Sequence, residues 1–179
     1  MVMTDEQRTL IVGVAAEAKV PAALAMAICF KESSFRTAAF NPEPKWIYLW
    51  DLVKNRPFRA LTPAEIASER PPDDFYALPN VPVDAEWWGQ QMSWGLMQVM
   101  GGVAREQGFR GDFLNELSVY PRIGLTCGCR YLAGRYAKYG NWPDAIAAYN
   151  AGSARRSPDG RYDNQSYVDD VTEAWTRYG

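Results

Sequence analysis

The stretch Ala25-Met26-Ala27-Ile28-Cys29-Phe30-Lys31-Glu32-Ser33-Ser34-Phe35 constrains this chain more than any other. It reads as an apolar helix around which the rest must be organised, and it delivers one carboxylate at its end. Pro21 suits the first turn of such a helix, where its missing N–H costs nothing. Leu24, Ile28 and Glu32 follow at intervals of four, so Glu32 continues the stripe that Leu24 and Ile28 bury. Burial disfavours the charged form of a carboxyl and raises its pKa. The partial negative charge at a helix C-terminus pushes the same way. On this reading Glu32 stays protonated near neutrality and can donate a proton. The alternative is a Glu32 that swings out to water at a frayed helix end.

The bulk properties remove several classes of function. The chain has 179 residues, a single-domain length with room for a core. Its net charge of −2 argues against a dedicated nucleic-acid binder, which would carry a basic face. There is no histidine, which excludes Ser-His-Asp and Cys-His catalysis and any His-ligated metal. No cofactor or metal is expected. Three cysteines leave at least one without an intramolecular partner. Cys127 and Cys129 are too near along a helix to bridge without strain, and a bridge from Cys29 to either is not readable from sequence. Buried thiols are the expected state. The start, Met1-Val2-Met3-Thr4-Asp5-Glu6, lacks the basic and apolar regions of a signal peptide, and no apolar run approaches membrane-spanning length.

Along the chain, Thr4 and Gln7 form a capping box for a first helix with Leu10, Ile11, Val14, Ala15 and Ala18 on its buried face. The second helix ends near Glu32. From about residue 38 to residue 92 the composition changes, and this stretch holds most of the twelve prolines and four of the seven tryptophans. It reads as an elaborated loop with short helices at Trp46–Lys54 and, behind a Thr62/Glu65 capping box, Pro63–Glu69. Its aromatics Trp46, Trp50, Trp87 and Trp88 have faces suited to stacking on sugar rings. Beyond it, Trp94-Gly95-Leu96-Met97-Gln98-Val99-Met100 is apolar and glycine-bounded, with the polar Gln98 inside it. Short helices are expected at Val103–Gln107 and Phe113–Leu117, and longer ones at Pro121–Tyr139, Pro143–Asn150 and from about Gln165. The last places Val168, Val171, Trp175 and Tyr178 on one face. The expected fold class is mainly α, with no convincing strand and room for a small hairpin in the insert.

Three separated pieces, Glu32-Ser33-Ser34-Phe35, Gly95-Leu96-Met97-Gln98 and Ala148-Tyr149-Asn150-Ala151-Gly152, resemble the signature set of the soluble lytic transglycosylase (SLT) domain family. A fourth, Tyr167-Val168, resembles the closing element of that family. The resemblance covers roughly residues 5–37 and 93–178; the insert departs from the short link of the best-known members. Its Asn41-Pro42-Glu43-Pro44 start and the Ser93-Trp94 pair resemble versions found in phage lysins and related bacterial proteins. The resemblance implies one lysozyme-like, mainly helical domain over residues 1–179, with the insert at about 38–92. It also implies cleavage of peptidoglycan glycan strands by a monomer without stable membrane insertion.

By position, Glu32 resembles the catalytic acid/base of the family, and Tyr149 and Asn150 the tyrosine and asparagine facing that acid and the sugar. Met97 and Gln98 resemble residues lining the cleft. Ser33, Glu43 and Trp94 are further candidate substrate contacts, as is Asp163, which stands where many members carry a glutamate. The core-packing alternatives for Tyr149 and Gln98 stay open. Most glycosidases need two carboxylates, whereas a lytic transglycosylase manages with one. On this resemblance Glu32 is expected to protonate the leaving oxygen and then to take the proton of the sugar's own 6-hydroxyl as a 1,6-anhydro ring closes. The competing reading is a hydrolytic muramidase of the goose-type-lysozyme kind, with Glu43, Asp84 or Glu86 as second carboxylate. A third is a non-catalytic wall-binding or virion structural protein. The expected setting is a phage-encoded protein made in the host cytoplasm and acting on the bacterial wall, released by a holin or carried in the virion. The alternative setting is the bacterial periplasm after removal of a leader.

Overall fold

Residues 2–179 are described by the computed structural model, so the Met1 end of the expected start lies outside them. Nine helices and five short strands follow one another among the described residues. They group into two compact units, one of residues 1–36 with 128–179 and the other of residues 37–127. Helix α7, Pro121–Tyr139, passes through the boundary. As expected, the chain is mainly helical, and among the described residues no helix is long and apolar enough to cross a membrane.

The first unit is built on α2, Ala22–Ser33, whose residues from Leu24 to Cys29 are all buried. A helix buried on nearly every side needs neighbours on nearly every side. Helices α1, Asp5–Glu17, and α9, Gln165–Tyr178, both pack on α2, and α8, Trp142–Ala151, packs on α9. Helix α1 opens with the Thr4/Gln7 capping box, both hydrogen bonds in place, and buries Ile11, Val14 and Ala15. Helix α8 is capped by the Asn141 side chain and ends at Gly152, whose φ of +74° is a left-handed conformation. Helix α9 buries Tyr167, Val168, Val171 and Ala174. Its inner stripe therefore runs along Tyr167 and Ala174, and the expected members Trp175 and Tyr178 stand at its margin, half-buried.

The second unit holds more strand than expected, a three-stranded sheet besides a small hairpin in the insert. Strands β1 (Phe40–Pro42), β4 (Met92–Trp94) and β5 (Val99–Met100) form an antiparallel sheet in the order β1-β4-β5. Strands β2 (Trp50–Asp51) and β3 (Arg56–Pro57) form a hairpin where a helix over Trp46–Lys54 was expected. Asp51 explains the change: its Oδ1 accepts the backbone N–H groups of Val53 and Lys54, which closes a turn instead of a helix. Helix α3, Pro63–Ile66, has the Thr62/Glu65 capping box but is shorter than expected, and α4, Val83–Gln90, was not expected at all. Since β1 lies near the start of the insert and β4 runs from its last residue into Ser93-Trp94, the insert shares a sheet with the strands that flank the Gly95–Gln98 turn.

The core of this unit joins Leu49, Phe75 and Trp87, with Phe58 and Leu61 against them. Trp87 is 1% exposed and Trp50 is also buried. Those two rings are core rather than sugar-stacking surface, because an edge-to-face contact at 5.2 Å locks Trp87 against Phe75. Trp88 and Trp46 keep more exposed faces. Beside this core lies an ion pair with no exposure at either partner: Arg105 Nε donates to Glu86 Oε1 at 2.9 Å and Nη2 to Oε2 at 2.6 Å. Arg105 belongs to α5, Gly101–Glu106. Gln90 donates to Glu86 Oε1 as well and brackets the backbone N–H and carbonyl of Trp50.

Candidate active site

Glu32 stands at the penultimate position of α2, followed by a turn that only tertiary packing can hold. Ser34 and Phe35 are both left-handed, with φ of 50° and 64°, although neither is glycine. Such a conformation costs an ordinary residue roughly 1–2 kcal/mol. Three things offset it. The N–H groups of Ser34 and Phe35 reach back to the carbonyls of Phe30 and Cys29. Gln7 Nε2 donates to the Phe35 carbonyl at 2.8 Å. The rings of Phe30, Phe35 and Tyr178 contact one another pairwise, with centroids 5.9, 6.2 and 5.9 Å apart. The exit from α2 is thereby fixed, and with it the direction of Glu32.

The hydroxyl that meets the carboxyl is that of Tyr167, donating to Glu32 Oε1 at 2.6 Å. It comes from the first turn of α9, 135 residues away. Burial pushes the Glu32 carboxyl above its ordinary range, while the Tyr167 hydrogen bond and the Lys31 charge pull it back. Burial dominates, so the net shift is upward, toward the form that can donate a proton. Burial, together with the Glu32 charge, also pushes the Tyr167 and Tyr149 hydroxyls well above the usual phenol range, so both remain protonated. The thiols of Cys29 and Cys129 are buried and shifted the same way, Cys129 to about 12.

Tyr149 is buried in α8 with its ring 5.5 Å from that of Tyr131. Asn150 is exposed, and its Oδ1 accepts from Asn164 Nδ2, which also donates to the Ala147 carbonyl. Asn164 thus ties the end of α8 to the start of α9. Ser33 is buried, its hydroxyl donating to the Cys29 carbonyl one turn back. Asp163 is exposed and ion-paired with Arg155 at 3.4 Å. Glu32, Ser33, Tyr149, Asn150 and Asp163 all belong to the first unit.

Met97, Gln98, Glu43 and Trp94 belong to the second. Gln98 lies at the end of the β4–β5 turn with a φ of 45°, its Oε1 accepting from the Ser93 hydroxyl and its Nε2 donating to the Gly95 carbonyl. Gly95 has a φ of 71°, and a Cβ there would come within 2.6 Å of the Leu117 carbonyl oxygen. The glycine is therefore obligatory in this turn. Met97 is fully buried, and the Trp94 indole N–H donates to the Gly89 carbonyl. Glu43 is exposed and accepts from Asn41 Nδ2. Of the carboxylates a hydrolytic route would recruit, Glu86 is removed by its buried pair with Arg105, whereas Asp84 is exposed.

Sequence reasoning placed Tyr167 in a recurring element but gave it no part in the site. Its only local signal is a tyrosine on the inner face of an amphipathic helix, and nothing in spacing links it to Glu32.

The family model of the transglycosylase SLT domain matches residues 10–169, running through the insert. No curated protein and no solved structure matches the chain. The buried helix that ends on Glu32 and the Tyr-Asn pair at the end of α8 both lie inside the matched span. The chain belongs to the transglycosylase SLT domain family, whose function in general is lytic-transglycosylase-type cleavage of peptidoglycan.

Proposed function

We propose that this protein cleaves the β-1,4 bond between MurNAc and GlcNAc and leaves a 1,6-anhydro-MurNAc end, with Glu32 as acid and then base. The observation that carries this reading is the 2.6 Å hydrogen bond from Tyr167 to a carboxyl whose pKa burial raises. A general acid must hold its proton at working pH and point in one direction. Burial moves Glu32 toward the first condition, and the Tyr167 hydroxyl with the fixed turn at Ser34-Phe35 supplies the second.

In the first step Glu32 gives its proton to the glycosidic oxygen as the C1–O bond breaks, and the substrate's N-acetyl group supports the anomeric carbon. Tyr167 then donates to a carboxylate, where its hydrogen bond is strongest. In the second step the 6-hydroxyl attacks C1 and its proton returns to Glu32. One carboxyl serves both steps and no water is consumed. Tyr149 and Asn150 are assigned to orienting the acid and the sugar, with Asp163 a further candidate contact in the same unit. Within the other unit Gln98 and Glu43 are the candidates with exposed surface, since Met97 and Trp94, like Ser33, are buried. The burial of Glu86 removes one of the three second carboxylates that hydrolysis would draw on.

The test is the mass spectrum of muropeptides released from purified sacculi. Anhydro ends are expected from the wild type and none from folded Glu32→Gln. Reducing ends would replace this mechanism with hydrolysis, and undiminished release by Glu32→Gln would remove Glu32 from it.

A further inference from the structure

The end of α2 and the start of α9 are joined twice. Tyr167 on α9 donates to Glu32 on α2, and Lys31 on α2 donates to Asp170 on α9, Nζ to Oδ2, at 2.5 Å. Lys31 and Glu32 are adjacent, and Tyr167 and Asp170 are three residues apart on one face of α9. The Lys31 ammonium also stands 6.0 Å from the centre of the Tyr167 ring. A single hydrogen bond between two helix ends leaves them free to pivot about it. A second link nearly one turn further along fixes the register.

We propose that Asp170 is a positioning residue which, by pairing with Lys31, sets the Tyr167 hydroxyl on Glu32 and neutralises the cation beside the acid. This rests on Glu32 being the acid. The groups that interact with Glu32 are Lys31 and Cys29 on α2, Tyr167 on α9 and Tyr149 on α8. Cys129 and Tyr131 on α7 stand behind Tyr149, and Asp170 on α9 pairs with Lys31. The thiols of Cys29 and Cys129 and the hydroxyls of Tyr149 and Tyr167 are held protonated, which leaves Lys31 as the charge that acts on Glu32 and Asp170 as the charge that answers Lys31. An unpaired Lys31 favours the carboxylate form of Glu32 and competes with Tyr167 as a donor to it.

The pair is open to solvent, with side-chain exposures of 37% and 53%, so its removal leaves the fold nearly as stable as before. That separates positioning from mere support. The experiment measures kcat and apparent KM on purified sacculi against pH for the full chain and its Asp170→Asn, Lys31→Met and Glu32→Gln variants, and for the charge swap Lys31→Asp with Asp170→Lys. Asp170→Asn should lose about tenfold in kcat, well short of the ~10²–10⁴-fold that a general acid supplies, with KM unchanged. Its alkaline limb, where Glu32 loses its proton, should move to lower pH, and salt should shrink that movement. Lys31→Met should lose a similar factor while its limb moves to higher pH. The swap should recover part of kcat by re-forming the pair.

Unchanged kcat in both single variants would overturn the proposal, and so would lost kcat with neither limb displaced. A fully active Glu32→Gln would overturn the reading of the site itself. An inactive Glu32→Gln with unmoved limbs would overturn only the role of Asp170.

Discussion

Arg105→Met removes the cation from a pair that has no contact with water. The guanidinium donates to both oxygens of Glu86 and, through Nη1, to the carbonyls of Phe109 and Gly111 at 3.2 and 2.8 Å. The Phe109 carbonyl keeps a second donor, Arg110 Nη1 at 2.9 Å, and Gly111 is partly exposed and can take a water. Neither carbonyl therefore sets the cost. What remains is a carboxylate with no exposure, left with the Gln90 amide as donor. Stranding one member of a buried pair costs about 3–5 kcal/mol. The loss should spread to the β2–β3 hairpin, since Gln90 holds both Glu86 and the Trp50 backbone. Urea unfolding followed by circular dichroism measures it as a drop in the midpoint at unchanged slope. The double variant Glu86→Leu with Arg105→Met should regain much of the loss, because no unpaired charge is then buried. A single-variant loss under about 1 kcal/mol, or a double variant no more stable than the single, would refute the reasoning.

Other outcomes follow from the same structure. Tyr167→Phe removes a charge-assisted hydrogen bond of roughly 1.5–3 kcal/mol, so kcat should fall by about 10- to 100-fold. Its alkaline limb should move to higher pH, because that bond stabilises ionised Glu32. Glu32→Gln bears on stability as well. A carboxyl whose pKa is raised by folding contributes most below its unfolded pKa of about 4.3 and loses that contribution as pH rises through the folded value. Thermal melts should therefore show Glu32→Gln gaining on the wild type as pH rises from 4 toward 7, by roughly the cost of ionising the buried acid; a constant gap would contradict the raised pKa. Gly95→Ala should cost about 1–3 kcal/mol by denaturant titration, through the left-handed φ and the clash with the Leu117 carbonyl. Trp87→Ala should cost about 3–5 kcal/mol, and a milder Trp87→Phe should leave chitooligosaccharide affinity unchanged, as befits a core ring.

The sequence by itself determined what is written within a few residues of chain. Thr4 with Gln7 and Thr62 with Glu65 are complete capping boxes, Gly152 ends α8, and the four-residue spacing of Leu24, Ile28 and Glu32 puts a carboxyl at the end of a buried helix. These signals are local because the hydrogen bonds and the period that make them are local. Only the tertiary structure decided what depends on distant segments meeting. Strand β1 exists because Phe40–Pro42 finds Met92–Trp94, a pairing that neither three-residue run announces. Glu86 stood as a candidate second carboxylate until Arg105 reached it from α5. Trp87 looked like a sugar-stacking face until Phe75 and Leu49 covered it. Tyr167 lies 135 residues from Glu32, and their contact depends on how α9 crosses α2. A helix period tells which side of α9 turns inward, but only packing decides which carboxyl waits there.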